Sequence, residues 1–460
     1  MRFFLRLLPL SLILFLMITS CKLIEKKDNT KSDKAIGQSS SFPSWVMQSN
    51  IYEVNVRQYT PEGTFKAFEA HLQRLKDMGV DILWFMPITP ISKVDSKGVL
   101  GSYYAVADYK AINPEFGNMD DWNLLVKKCH DLGMKVIIDW VPNHSGADNN
   151  WLQTHPDFYN KDSSGKPVYA FDWSDTRDLN YWNPVLQDSM IDAMKYWLSS
   201  GIDGFRCDVA AEVPRFFWEK CIKELKSEKS DLFFLAEGDK GWLHDAGFHA
   251  SYPWDMFSIM KKVALGIRPA ISLDSVLMRQ DESFPIGATR MYFTSNHDEN
   301  SWNKSDYGTF PGVKHAPFAV FTQTMRNSLP LIYSGQEEPF LDSLSFFYKD
   351  TIVFDKFKRA PFYKTLLNLR KKNPALAIDG DFKKINTNKD DKVYAYMREK
   401  NGNKVLVILN FSPAAVTVNL SDNSLKGTFE DVFQGKLQNF DPSVPLTLDA
   451  WGYLVYSYKN

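Results

Sequence analysis

Eight short apolar runs, most of them separated by an amphipathic helical stretch, constrain what this chain can fold into more than any other feature. They lie at 51–56, 80–86, 135–139, 204–210, 232–237, 248–252, 291–296 and 329–333. After the first, Thr64 is placed to cap a helix whose Phe65, Phe68, Leu72 and Leu75 share one face until Gly79 stops it. A second helix carries Trp122, Leu125, Val126 and Leu132 and ends at Gly133. A third starts at Asn183-Pro184 and sets Leu186, Met190, Met194 and Trp197 along one stripe before Gly201. Strand and helix in alternation predict an α/β fold with a parallel sheet, and about eight repeats predict a closed (β/α)8 TIM barrel.

Two intervals depart from the alternation. The stretch 145–182 is rich in Asn, Asp, Trp, Gly and Pro, has little helical period and is too long for a simple loop. It predicts a small inserted domain on the C-terminal rim, after strand 3. Beyond Asn373-Pro374, runs at 393–397, 405–410, 415–420 and 453–458 alternate or run apolar between turn residues. They predict an antiparallel β-sandwich domain over 376–460, which leaves the barrel at 43–375.

The N-terminus reads as a targeting segment. Arg2 and Arg6 precede an apolar run from Leu7 to Ile18, too short for a full membrane span and followed by small residues. Residues 1–20 are therefore a signal peptide. Ile18-Thr19-Ser20-Cys21 resembles the lipobox of bacterial lipoproteins, in which the Cys becomes the lipid-bearing first residue. The polar stretch that follows, 21–42, cannot repay its ordering entropy and reads as a flexible tether. The expected location is a bacterial membrane, periplasmic or cell-surface, through a lipid on Cys21. Cys129, Cys207 and Cys221 remain, an odd number that argues for buried free thiols.

Chemistry gathers at the predicted C-terminal ends of the strands. The third run ends in Asp139, with Asn143 and His144 just beyond; the fourth carries Arg206 and Asp208, two apart and so on one face of a strand. The fifth ends in Glu237 and the seventh in Asn296-His297-Asp298. Each alone has a plain structural reading, since an isolated Arg-x-Asp is usually an ion pair and a lone His a satisfied polar group. In a barrel, however, these ends converge on the one face where such folds place their chemistry. The formal net charge of -1 offers no footprint for nucleic acid. Aromatic residues make up 14% of the chain, enough to line a cleft for sugar as well as fill a core.

Four blocks, DWVPNH (139–144), GFRCDVA (204–210), FLAEGD (234–239) and FTSNHDEN (293–300), resemble in order the four conserved regions of the α-amylase family of retaining glycoside hydrolases. GSYYAVADYKAINPEFG (101–117) and PLIYSGQE (330–337) resemble further family segments after the second strand and at the eighth. The resemblance implies a nucleophile at Asp208, a general acid/base at Glu237 and a third carboxylate, Asp298, that orients the distorted sugar. It implies sugar contacts from His144 and His297, an aromatic platform at Tyr104, and Arg206 as the cation that keeps Asp208 ionised. Glu237 should hold its proton through crowding by Asp208 and Asp298. Retention needs the attacking and donating carboxyls roughly 5 Å apart, which neighbouring strands supply.

One departure bears on metal binding. Ala211-Glu212 replace a Lys-His pair common in the family, whose His lends a backbone oxygen to a structural calcium. Asn143 and Asp178 match other calcium positions, and hard oxygens suit Ca2+, so the resemblance leaves the ion open, and no cofactor is required for the chemistry. The implied activity is hydrolysis of α-1,4 bonds in starch or malto-oligosaccharides by double displacement. An α-amylase is favoured over an α-glucosidase because an enzyme tethered outside the cytoplasm meets polymers first. An α-glucan transglycosylase on the same fold is the near alternative. A starch-binding lipoprotein on a decayed barrel would have lost a carboxylate, and all three stand. A metal-dependent hydrolase using His144, His297 and Asp298 lacks a zinc-type His pair. The sequence assigns no oligomeric state.

Overall fold

Residues 42–303 and 306–458 are described in a computed structural model of the chain. The signal peptide at 1–20, Cys21 and all but the last residue of the tether lie outside the described residues. The alternating pattern folds as a ring of parallel strands: β1 (Ile51–Val54), β2 (Ile82–Phe85), β3 (Lys135–Trp140), β4 (Gly204–Cys207), β5 (Phe233–Ala236), β6 (Ala250–Ser251), β7 (Thr289–Arg290) and β8 (Leu331–Tyr333). They pair in the order β8-β1-β2-β3-β4-β5-β6-β7. The ring closes between β7 and β8, where Leu329 N donates to Arg290 O at 3.0 Å and Leu331 N to Tyr292 O at 2.9 Å. This is the (β/α)8 barrel that the alternation predicts.

Side chains of each strand alternate between two cores. Tyr52, Leu83, Phe85, Val136, Ile138, Phe205, Cys207 and Phe234 face outward into the layer shared with the helices. Ile51, Ile82, Trp84, Ile137, Phe233 and Leu235 belong to a second core, within the barrel. Burial on both faces is why the strands read as continuous apolar runs. Gly204 is required by that packing, since a Cβ there would lie 2.0 Å from Phe233 O. Cys207 is a buried free thiol, as are Cys129 and Cys221.

Two readings are corrected. The seventh strand is confined to Thr289–Arg290, ahead of the 291–296 run. That run is apolar because Met291, Tyr292 and Phe293 are core, whereas beyond Tyr292 the backbone leaves the ladder to deliver Asn296 to the next helix. The stretch after Thr64 forms two helices, Phe65–Glu69 and Leu72–Met78, broken at Ala70-His71. Thr64 Oγ1 does cap the first, accepting from Ala67 N at 3.2 Å, and all four apolar residues of the expected face are buried.

After β3 the chain rises into a segment built on a short ribbon, His144–Gly146 paired with Thr176–Asp178. Beyond the barrel, a six-stranded antiparallel sheet and a two-stranded one form the C-terminal sandwich. Along its central strands, Val393, Ala395, Leu406 and Ile408 pack on Val416, Val418 and Leu448 of the small sheet. Alternate residues Tyr394, Tyr396, Val405 and Val407 pack with Phe318, Val320 and Phe321 of the helix His315–Thr324. That helix is buried nearly all round because it lies between the sheet and the barrel core.

Candidate active site

The barrel interior turns from apolar to charged at the C-terminal ends of its strands. Arg206, fully buried on β4, is the centre of the change. Its Nη1 donates to Asp139 Oδ1 at 2.9 Å and to Asp208 Oδ1 at 2.9 Å, its Nε donates to the Tyr252 hydroxyl at 3.1 Å, and its Nη2 lies 3.1 Å from Glu237 Oε2. The guanidinium also stacks 5.0 Å from the Trp84 ring centre. One planar cation thus holds three carboxylates from three adjacent strand ends, a task suited to the fixed fork of Arg. Asp139 takes further donors from Trp84 Nε1 at 3.2 Å and the Tyr104 hydroxyl at 3.1 Å. Held by Arg206, Trp84 and Tyr104, Asp139 supports the site from below.

Asp208 stands just past the end of β4, its N–H bonded to Trp140 O at 2.8 Å. The next residue, Val209, turns the chain with φ 45°, a left-handed conformation that costs a β-branched residue about 1–3 kcal/mol. The turn aims the Val209 N–H at Glu237 Oε2, 2.8 Å away. Burial and the charge of Glu237 push Asp208 well above the usual carboxylate range. Burial would raise Glu237 too, but Arg206 and the Val209 N–H outweigh it and hold it below. The two shifts run against the crowding expected to raise Glu237 and the cation expected to lower Asp208. Beside Arg206, the Val209 N–H favours the Glu237 anion, a bond with no counterpart at Asp208.

His297 and Asp298 arrive differently. Asn296, extended at φ -145°, accepts from Glu299 N at 2.8 Å and so caps the helix His297–Trp302, placing both residues in its first turn over the barrel. His297 Nε2 contacts the Tyr104 hydroxyl at 2.8 Å and Asp298 Oδ2 at 3.3 Å, while Nδ1 meets Glu53 Oε1 at 2.5 Å. Burial would lower its pKa, but Asp298 and Glu53 raise it to about 9, so the ring is an imidazolium. The Tyr104 ring stacks on it at 5.4 Å. His144 differs: burial lowers it to about 4, and its Nε2 is buried with no hydrogen-bond partner while the ring lines the pocket. A neutral imidazole in the pocket wall can bond a ligand hydroxyl.

Tyr104, His144, Asp208, Glu237, His297 and Asp298 line one cavity of about 370 Å3, with Arg206 beneath it. Three of its features escaped the sequence reading. Glu53 lies inside a run that reads as core, although a carboxylate between Tyr52 and Val54 is itself a signal. Trp84 and Tyr252 carry no such signal, because apolar packing and site support look alike in a strand.

Asn143 and Asp178 come together at the base of the ribbon, but as a protein network. Asp178 Oδ2 accepts from Asn160 Nδ2 at 2.7 Å, and the Asn143 amide lies 3.3 Å from His144 Nδ1. Glu212 is exposed. Among the described residues no group of three or more His, Cys, Asp or Glu could hold a metal ion. No step of the chemistry is routed through a metal ion.

Comparison with known proteins agrees with this geometry. The family model for the alpha amylase catalytic domain matches residues 28–177 and 168–234, and that for the maltogenic amylase C-terminal domain matches 382–455. An α-amylase of Haloarcula japonica is 28% identical over 399 residues, covering 82% of this chain, which spans only 57% of that longer relative. A cyclomaltodextrinase of a Bacillus species is 26% identical over 435 residues, covering 82% of this chain and 75% of its own. The crystal structure of an α-amylase from Lactobacillus plantarum superposes with a TM-score of 0.82 at 30% identity, over 90% of this chain and 100% of that one. A maltogenic α-amylase from Thermotoga neapolitana gives a TM-score of 0.83 at 27% identity, again over 90% and 100%.

Proposed function

The chain belongs to the α-amylase family of glycoside hydrolases, and we propose that it cleaves α-1,4-glucosidic bonds of starch or malto-oligosaccharides with retention, by double displacement at Asp208. The observation that carries this reading is the Arg206 guanidinium, which holds the Asp208 and Glu237 carboxyls side by side. Retention uses such a close pair, whereas inversion needs room for a water between the carboxyls.

A glucosyl ring seated on Tyr104 bonds its hydroxyls to His144 Nε2, His297 and Asp298. As the glycosidic oxygen arrives beside Glu237, that side chain carries the proton it will donate. Asp208, held by Arg206 Nη1, is the carboxylate. An Asp208 oxygen then bonds the anomeric carbon, the bond to the leaving oxygen breaks, and Glu237 gives that oxygen its proton. In the second step Glu237 takes a proton from water, the water oxygen bonds the anomeric carbon, and Asp208 is released as carboxylate. The pair titrates as a unit, so activity falls on the acid side when both carboxyls are protonated and on the alkaline side when neither is.

Glu237→Gln tests the assignment. The variant should lose about 10²–10⁴-fold on starch while keeping most of its rate for the first step on glucosyl fluoride, whose leaving group needs no proton. Equal losses on both substrates would remove Glu237 from the acid role.

For the N-terminus we propose a lipid on Cys21, supported by the apolar run before it and the polar tether after it. Mass spectrometry of the mature protein should find a diacylglyceryl-modified Cys21 as its first residue; an unmodified Cys21 in a soluble secreted form would exclude the anchor.

A further inference from the structure

The pocket is walled on one side by three loop segments tied together. The segment after β2 is pinned to the ribbon segment, with Lys93 N and Val94 N donating to Asp148 Oδ2 at 2.8 and 3.2 Å and Asp95 pairing with Arg177 at 2.6 Å. On its other flank Leu100 N donates to Phe347 O, after β8, at 3.0 Å, and Gly98 packs so tightly on Phe347 that a Cβ would lie 2.5 Å from the Phe347 side chain. Between these ties, Lys97 Nζ meets Asp175 Oδ1 at 3.2 Å. The Asp175 side chain is 3% exposed, and both residues line the pocket itself. The pair, part-exposed at Lys97 and buried at Asp175, bridges one loop to the other along the edge of the pocket.

The position of this wall decides its meaning. Around the ring, β5 stands four places from β1, and the segments after β2 and β8 flank β1. The parts of the wall after β2 and β8 therefore stand across the ring from Glu237, with the Asp175 segment, after β3, adjoining them. The leaving group departs on the side of its proton donor, so the retained sugar points its non-reducing end at the wall. We infer that the enzyme grips α-glucan chains by their non-reducing ends, the Lys97–Asp175 pair blocking passage of an internal segment, and releases a short product of fixed length. Lys97 and Asp175 also offer a donor and an acceptor to the terminal hydroxyls, a recognition that an interior glucosyl unit does not satisfy. This inference rests on the α-glucan hydrolase reading and chooses between the exo and endo modes it leaves open.

Two chromogenic maltoheptaosides test it, one with a free non-reducing end and one whose terminal O4 and O6 are closed by an acetal. The wild-type protein should cleave the blocked chain about 100-fold more slowly than the free one. Lys97→Ala with Asp175→Ala should raise the blocked-to-free ratio about tenfold, and the swap Lys97→Asp with Asp175→Lys should bring it back down. Wild-type cleavage of both chains at similar rates overturns the inference while leaving the hydrolase reading standing. Cleavage of neither removes that reading, and the inference with it. If the double alanine variant does not fold, the wild-type ratio and the swap still decide.

Discussion

Asp208→Asn should lower activity on starch by about 10⁴-fold or more without lowering the thermal midpoint. The loss follows because an amide oxygen is too weak a nucleophile to form the glycosyl intermediate, and no neighbour can substitute. Asp139 is occupied by Arg206, Trp84 and Tyr104, and Asp298 is engaged by His297 Nε2. Stability moves the other way. Asp208 is almost fully buried beside Glu237, and burial and that like charge hold its carboxyl well above the usual range. Removing a charge that the fold disfavours relieves desolvation, while the Asn oxygen can still accept from Arg206 Nη1. An active site that strains the fold in this way exchanges stability for function. Differential scanning calorimetry beside a starch assay checks both halves, and a large drop in midpoint would mean that Asp208 is structural.

Arg206→Leu should do the opposite to stability. It leaves Asp139 fully buried with its cation gone, together with Asp208 and Glu237. Breaking a buried pair by removing one partner costs about 3–5 kcal/mol, and here three carboxylates lose the same partner. Urea unfolding should show that loss, with activity abolished. Arg206→Lys should recover little of either, because one ammonium on a flexible stem cannot span Asp139, Asp208, Glu237 and the Tyr252 hydroxyl at once. A Lys variant with wild-type stability and rate would show that charge alone matters there.

The sequence carried the site wherever an apolar run broke into charge. Asp139, Arg206, Asp208, Glu237 and His297-Asp298 are each an interruption of that kind, and the barrel brings all of them to one face. It failed where burial hides the role of a residue. Glu53 sits inside a strand that reads as core and yet holds His297 as an imidazolium. The seventh run shows the same ambiguity: Met291, Tyr292 and Phe293 are apolar because they pack, and the ladder lies earlier. The backbone N–H that Glu237 accepts was beyond sequence, because it is aimed by the φ of Val209. The Lys97–Asp175 wall joins loops 78 residues apart in sequence, 175 minus 97, and no local pattern announces it.

The most direct test of the account is to trap the intermediate. A glucosyl fluoride carrying a second fluorine on the sugar ring slows the release step, so the bound sugar accumulates on whichever side chain attacked. Peptide mapping after a short incubation should find one sugar per protein, on the peptide that contains Asp208 and on that residue alone. Label on Glu237 or Asp298, or turnover with no covalent sugar and inversion at the anomeric carbon, would contradict it.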